Sequence, residues 1–290
     1  MDVDPLADTV PPRYAVESDD EDEYNPLPSQ SSSAKPRAAP SVNIKIVGNI
    51  ATKCPLAVMS GPAAAHWAGG AALGEQKGAV YVNSKMVGLL FVPSWTDSVV
   101  LVSETARHTT LPLWAQHQYA QAISNHFAPT SMVLLDTYFS KGYISSSDPP
   151  TGAPVRHLAV NHTPSANLRV PLYAPPNLVH TTSAAFMALL YLQSLEPQGS
   201  KVPGLLLLAP SSTLPPQPPS TIGAGEGGPI PLSDDAEWSA DEMELVQSTV
   251  CTVLGAKTPS VWKGRSTLSR GSSEASKRRT GDVGDGGMYI

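Results

Sequence analysis

Charge is scarce in this chain. Asp, Glu, Lys and Arg together make up 15% of its 290 residues, below the usual share, so much of the polar surface must be Ser, Thr, Asn, Gln and backbone, and long loops are expected. Cysteine is scarcer still. Cys54 and Cys251 are the two in the sequence; they lie far apart, match no metal-ligand spacing, and read as buried free thiols of a reducing compartment. Long apolar runs are missing as well. "SAAFMALLYLQSL" and "GLLLLA" fall short of the 18 or so residues a spanning helix needs, which excludes a membrane helix. The opening "MDVDPLADTV" is acidic where a secretory signal would be basic and then apolar. The protein is therefore expected in the cytoplasm or nucleus, where Asn161 of its Asn-His-Thr sequon would not be glycosylated.

What is present is unevenly spread. Residues 1–40 hold nine acids and three bases, residues 41–255 thirteen and nine, and residues 256–290 three and seven, so the two ends differ in sign. No broad basic face exists for nucleic acid, because the one dense cluster, Lys277, Arg278 and Arg279, sits near the end of the chain. Residues 1–40 combine "ESDDEDE" with "PSQSSSAKPRAAP", a composition that cannot offset its ordering entropy, and are expected to be disordered. Ser18, followed by acids, resembles an acidophilic kinase site. The hydrophobic share of 41% is concentrated after residue 41 and is ample for a core.

From Ser41 the pattern becomes periodic. "VNIKIVGNI" alternates, "PLAVMSG" is a short apolar run closed by Gly, and "GAVYVNSKMVGLLFVP" with "SVVLVSE" gives further strands. "SMVLLDTYF", "VRHLAVN" and "GLLLLAP" add more. Helices are expected in "PAAAHWAGGAAL", in "PLWAQHQYAQAISNHF" with Leu113, Trp114, Gln118, Ala122 and Phe127 near helical spacing, and in "SAAFMALLYLQSL" capped by Thr182 or Ser183. A last helix, "SADEMELVQSTVCTVLG", has a Ser or Asp cap, acids in its first turn, Met243, Val246, Val250 and Leu254 on one face, and Gly255 as its stop. Strands alternating with helices imply an α/β fold: one three-layer domain over residues 41–255, with a central mixed sheet covered on both faces. Residues 211–232, rich in Pro and Gly, are expected to form a mobile loop, and residues 256–290 a flexible basic tail.

Catalytic signatures are mostly absent. "GAGEGG" satisfies G-x-G-x-x-G through Gly223, Gly225 and Gly228 but has no strand directly before it and no helix directly after it, so it reads as loop. The Gly61 turn in "MSGPAAAHW" can present amides to an anion, yet any strand-to-helix connection needs the same residues. The histidines form no metal motif; His66 beside Trp67, and His117 with His126, read as core-edge or solvated groups. There is no P-loop, no usable nucleophile elbow, no cofactor signature, and no enzyme is expected.

Two features resemble a known family. The stretch "PPNLVHTTSAAFMALLYLQSLEPQGSKVPGLLLLAPS", residues 175–211, is similar to the signature region of the proteasome assembly chaperone 1 family, as a divergent or fungal-type member, with Pro176 fixing the approach and Leu178 or Val179 stapling the helix. The chain also closes on Met288, Tyr289 and Ile290, which match one for one the hydrophobic-Tyr-any ending of that family. The resemblance implies a chaperone of core-proteasome α-ring assembly. It would form a heterodimer with a second, related assembly chaperone and contact the α subunits, inserting its last three residues between two of them. Its departures are the 211–232 insertion, Thr181-Thr182 after His180, and the long basic tail. Two other readings stay open: Met288-Tyr289-Ile290 also fits the apolar-x-apolar ends bound by PDZ domains, with Ile290 in the pocket, and a small-molecule α/β enzyme would use an anion at the Gly61 turn.

Overall fold

The computed structural model describes residues 42–145, 153–161, 168–196, 201–215, 217–223, 238–258 and 260–264. Eight strands form one mixed sheet in the order β1-β3-β4-β5-β2-β6-β8-β7. Its centre is β5 (Val99–Ser103), β2 (Leu56–Ser60), β6 (Met132–Phe139) and β8 (Gly204–Ser211), all mutually parallel. The antiparallel hairpin β3 (Gln76–Val82) and β4 (Lys85–Phe91) extends one side and is edged by β1 (Ile44–Gly48), while β7 (Arg156–Val160) closes the other. The expected α/β class with a mixed central sheet is what forms.

Period-two alternation divides each central strand between two cores. Leu56, Val58, Leu101, Leu134, Leu206 and Leu208 face one layer. That layer is α2 (Leu113–Phe127) and α3 (Thr182–Leu195). Ala57, Met59, Val100, Val102, Leu135, Leu205 and Leu207 face the other, which holds α1 (Gly61–Ala68) and α4 (Ala240–Val253). Every residue of β2 and β5 is buried, so these runs are continuously apolar apart from their closing serines.

Several local expectations need correction. The buried stripe of α2 is Ala115, Tyr119, Ile123 and Phe127, with Gln116, Ala120 and Ser124, whereas Leu113 is 62% exposed. The sheet fixes the rotation of the helix, and Tyr119 and Ile123 give it a better-packed face than the one through Gln118 and Ala122. The cap of α3 is Thr181, one residue earlier than expected, and its side chain makes no capping bond. Val179 packs on the core and Leu178 is exposed. By contrast, α4 starts as its sequence indicates: the Ser239 hydroxyl accepts from the Glu242 amide, and the Glu242 carboxylate accepts from the Ser239 amide, a complete capping box. Gly255 follows α4 with φ +63°, the left-handed turn that favours glycine.

Packing continues beyond Gly255, where a tail was expected to begin. Trp262 is buried, donates from Nε1 to the Trp67 carbonyl at 2.9 Å, and stacks on His66 with centroids 5.6 Å apart. Its amide donates to Glu244, and the Lys257 and Lys263 amides donate to the Trp95 and Gly70 carbonyls. A single Val-Trp pair in an otherwise polar segment carries no periodic signal, which is why this strap is invisible to pattern reading. At the loop, Ser220 accepts a bond from Trp114 Nε1 and Ile222 packs on the core. Residues 1–41, 216, 224–237 and 265–290 lie outside the described residues; the segment expected to be a disordered start, part of the expected loop and the expected tail from residue 265 on fall there.

Candidate functional site

On the α2/α3 face, polar residues close or interrupt the apolar rows of three parallel strands. Ser60 of β2, Ser103 of β5 and Asp136 of β6 hold the same alternation phase as the leucines and valines before them. The Ser60 and Ser103 hydroxyls are 3.4 Å apart. Glu104, just past β5, has φ +54°, a conformation that costs a non-glycine residue about 1 kcal/mol. It turns its carboxylate back under the helices, where Oε1 accepts the Leu111 amide at 2.8 Å. Tyr119 of α2 reaches down to this spot over Gly88, at which a Cβ would lie 3.2 Å from its hydroxyl. Thr181, Thr182 and Ser183 arrive from above at the start of α3.

The result is a sealed polar nest. Glu104, Asp136, Tyr119, Thr182 and Ser183 are all less than a tenth exposed. Burial pushes the Glu104 carboxyl up to about 7 from 4.5, opposed by the Leu111 amide's hydrogen bond and by the nearby Thr182 hydroxyl, which makes no hydrogen bond of sound geometry, and reinforced by the Asp136 charge. Burial also raises Asp136, against the Thr181 and Ser183 hydroxyls and the Thr137 amide, which donates to Oδ1 at 2.7 Å. The two hydroxyls stand close enough to favour its charged form without a hydrogen bond of sound geometry. Tyr119 is raised by burial first and by the Glu104 charge second.

This arrangement bears on the anion expected at the Gly61 turn. Gly61 does take a positive φ of +72°, but a Cβ there would lie 3.8 Å from Asp136 Oδ1. A resident carboxyl already stands beside α1's amino terminus, where it would repel a bound phosphate in its ionised form.

A second feature lies on the outside of α3. Ala188, Tyr191, Leu192 and Leu195 fall at i, i+3, i+4 and i+7 and all are exposed, Leu195 by 62%, while Phe186, Leu189 and Leu190 are buried on the inner side. The helix is apolar on both faces, as a helix covered from two sides is. A third feature is an open pocket of about 690 Å³ at the β7 side, framed by Tyr143, Ile144, Leu172, Pro175 and Pro176 around Arg156. The Arg156 guanidinium lies 3.9 Å over the Tyr143 ring and donates to the Leu172 carbonyl. Among the described residues no His, Cys, Asp or Glu lines it.

Met288, Tyr289 and Ile290, Gly225 and Gly228, and Lys277 to Arg279 lie outside the described residues. His66 sits between Trp238 and Trp262, and His117 and His126 are exposed. Cys54 and Cys251 are free, Cys251 buried and Cys54 partly so. Among the described residues no group of three or more His, Cys, Asp or Glu could hold a metal, and no helix is long and apolar enough to cross a membrane. The nest went unseen because its acids come from separate segments, the turn after β5 and strand β6; the one local sign is Asp136, an acid inside the largely buried run "MVLLDTYF".

No protein-family model matches the chain, and no curated protein matches it in sequence. Solved structures do resemble it. Pyrococcus furiosus PbaA, described as an archaeal homolog of proteasome-assembly chaperone, aligns over 74% of this chain and 88% of its own at 11% identity and TM-score 0.45. Pyrococcus furiosus PbaB, an archaeal proteasome activator, aligns over 75% and 90% at 12% identity and TM-score 0.45. A Thermoplasma acidophilum protein of unknown function aligns over 70% and 86% at 10% identity and TM-score 0.41. Likenesses this distant carry no argument about activity, and the functional reading rests on the chain's own residues.

Proposed function

We propose that this chain is a non-enzymatic chaperone of core-proteasome α-ring assembly, acting in the cytoplasm or nucleus as a heterodimer with a second, related chaperone. The observation that carries the reading is the presence in one chain of the 175–211 signature stretch and a Met288-Tyr289-Ile290 ending. The doubly apolar α3 supports it. That helix belongs to the signature stretch, and its outer row of Tyr191, Leu192 and Leu195 is the kind of surface a permanent partner covers. The Asp136 carboxyl beside the Gly61 turn speaks against the phosphate-using enzyme.

The ending would act as a plug. A terminal carboxylate pairs with a lysine ammonium and amide donors in a pocket between α subunits, and the Tyr289 ring buries its apolar face while its hydroxyl makes one hydrogen bond. Alone, such a short segment binds weakly, so affinity comes from simultaneous contact by the folded domain and the paired chaperone.

Affinity isolation from cells, with identification of the co-purifying chains, tests the assignment: α subunits and a second chaperone are expected, and their absence refutes it. Tyr289→Ala removes a burial worth about 2 kcal/mol, and binding of the tail to the ring should fall at least tenfold. A residue added after Ile290 should weaken binding too. Tolerance of Tyr289→Ala together with loss on Ile290→Ala would point to a PDZ-type partner instead.

A further inference from the structure

The amino-terminal turn of α3 rests on two acids and, among the described residues, no base. Glu104 reaches the nest from the turn after β5 and Asp136 from the middle of β6, close enough for their charges to repel. The groups facing them are Ser60 of β2, Ser103 of β5, the Leu111 amide, Tyr119 of α2, the Thr137 amide, and Thr181, Thr182 and Ser183 of α3. None is a cation, and the Tyr119 phenol can only add negative charge. Two ionised carboxylates would repel each other where water is excluded, relieved only by amide dipoles and hydroxyls. Asp136 Oδ2, the Tyr119 hydroxyl and the Ser183 hydroxyl are buried without a hydrogen-bond partner, so the nest holds acceptors that a carboxyl proton can serve.

We propose that Glu104 and Asp136 hold one proton between them in mildly acidic solution, and that this proton is part of what seats the start of α3 on the sheet, so that α3 docking loosens as pH rises through neutrality. The same helix carries the exposed Tyr191, Leu192 and Leu195 row, so any surface built on it inherits the pH dependence. The inference does not depend on which partner, if any, covers that row.

The sign follows from linkage. A carboxyl that holds its proton more tightly in the folded state than in the unfolded one stabilises the fold at low pH. That contribution is complete below about 4.5, is lost as pH rises toward about 7, and changes little above 8. For Glu104 alone, the folding equilibrium constant should drop on the order of 50- to 100-fold between pH 5 and pH 8.

The experiment is denaturant unfolding of the full chain from pH 5 to pH 9, for the unmodified protein, Glu104→Gln and Asp136→Asn, with hydrogen exchange of the α3 amides alongside. The unmodified protein should show the drop and lose protection first at the start of α3. Glu104→Gln keeps the acceptor for the Leu111 amide and should cut the change to less than about fivefold. Folding calorimetry of the unmodified protein in buffers of different ionisation enthalpy should register uptake of about 0.9 proton at about pH 5.8, midway between about 4.5 and about 7, a readout that needs no variant. A folding constant that stays level from pH 5 to pH 8, zero proton uptake, or the same slope in both variants as in the unmodified protein would overturn the proposal.

Discussion

Trp262 gives the sharpest test of how the α1/α4 layer is held. Substituting Trp262→Ala in the full chain removes an indole that is 9% exposed, lies against Gly70 closely enough that a Cβ there would collide with it, and stacks on His66. It also leaves the Trp67 carbonyl without its Nε1 donor. Truncating a buried tryptophan to alanine typically costs 3–5 kcal/mol; because this one lies at the rim, where solvent can refill the site, about 3 kcal/mol is expected. For a domain of this size each kcal/mol moves the midpoint by about 2–4 °C, so Tm should fall by about 6–12 °C. Trp262→Phe keeps a ring but loses the donor and should cost about 1 kcal/mol. The nearby Lys257–Asp97 ion pair has both side chains mostly exposed and contributes little, so Lys257→Ala serves as a control with almost no shift. Differential scanning calorimetry of the three variants decides the matter. A Tm unchanged by Trp262→Ala would refute the strap and return the end of the core to Gly255.

Ala128 ends α2 in the left-handed conformation, with φ 44° and ψ 59°, and its side chain is exposed; Ala128→Gly should therefore stabilise the chain by about 0.5–1 kcal/mol in urea unfolding, and a loss of stability would show the strain argument wrong. Leu192→Asp with Leu195→Asp changes only the outer row of α3, so thermal stability of the isolated chain should hold within about 0.5 kcal/mol. Co-purification of the proposed partner chaperone should fall more than tenfold, and undiminished co-purification would move the interface elsewhere.

The positions of the strands and helices were legible in the sequence because a strand repeats every two residues and a helix every 3.6, and apolar residues record that period locally. "LAVMS", "VVLVS" and "GLLLLAPS" are apolar up to their closing serines because they lie inside the sheet, and the Ser239–Glu242 box and Gly255 marked both ends of α4. The order β5-β2-β6-β8 was not legible, since a strand apolar on both faces gives no sign of which neighbour it pairs with. The tertiary structure alone decided which turn of α2 faces inward, that Trp262 closes over α1, and that Glu104 and Asp136, thirty-two positions apart in sequence, share one dry nest under α3. Those outcomes depend on contacts between segments whose local sequences are unremarkable, and the energy that selects them is burial, which only the assembled layers create.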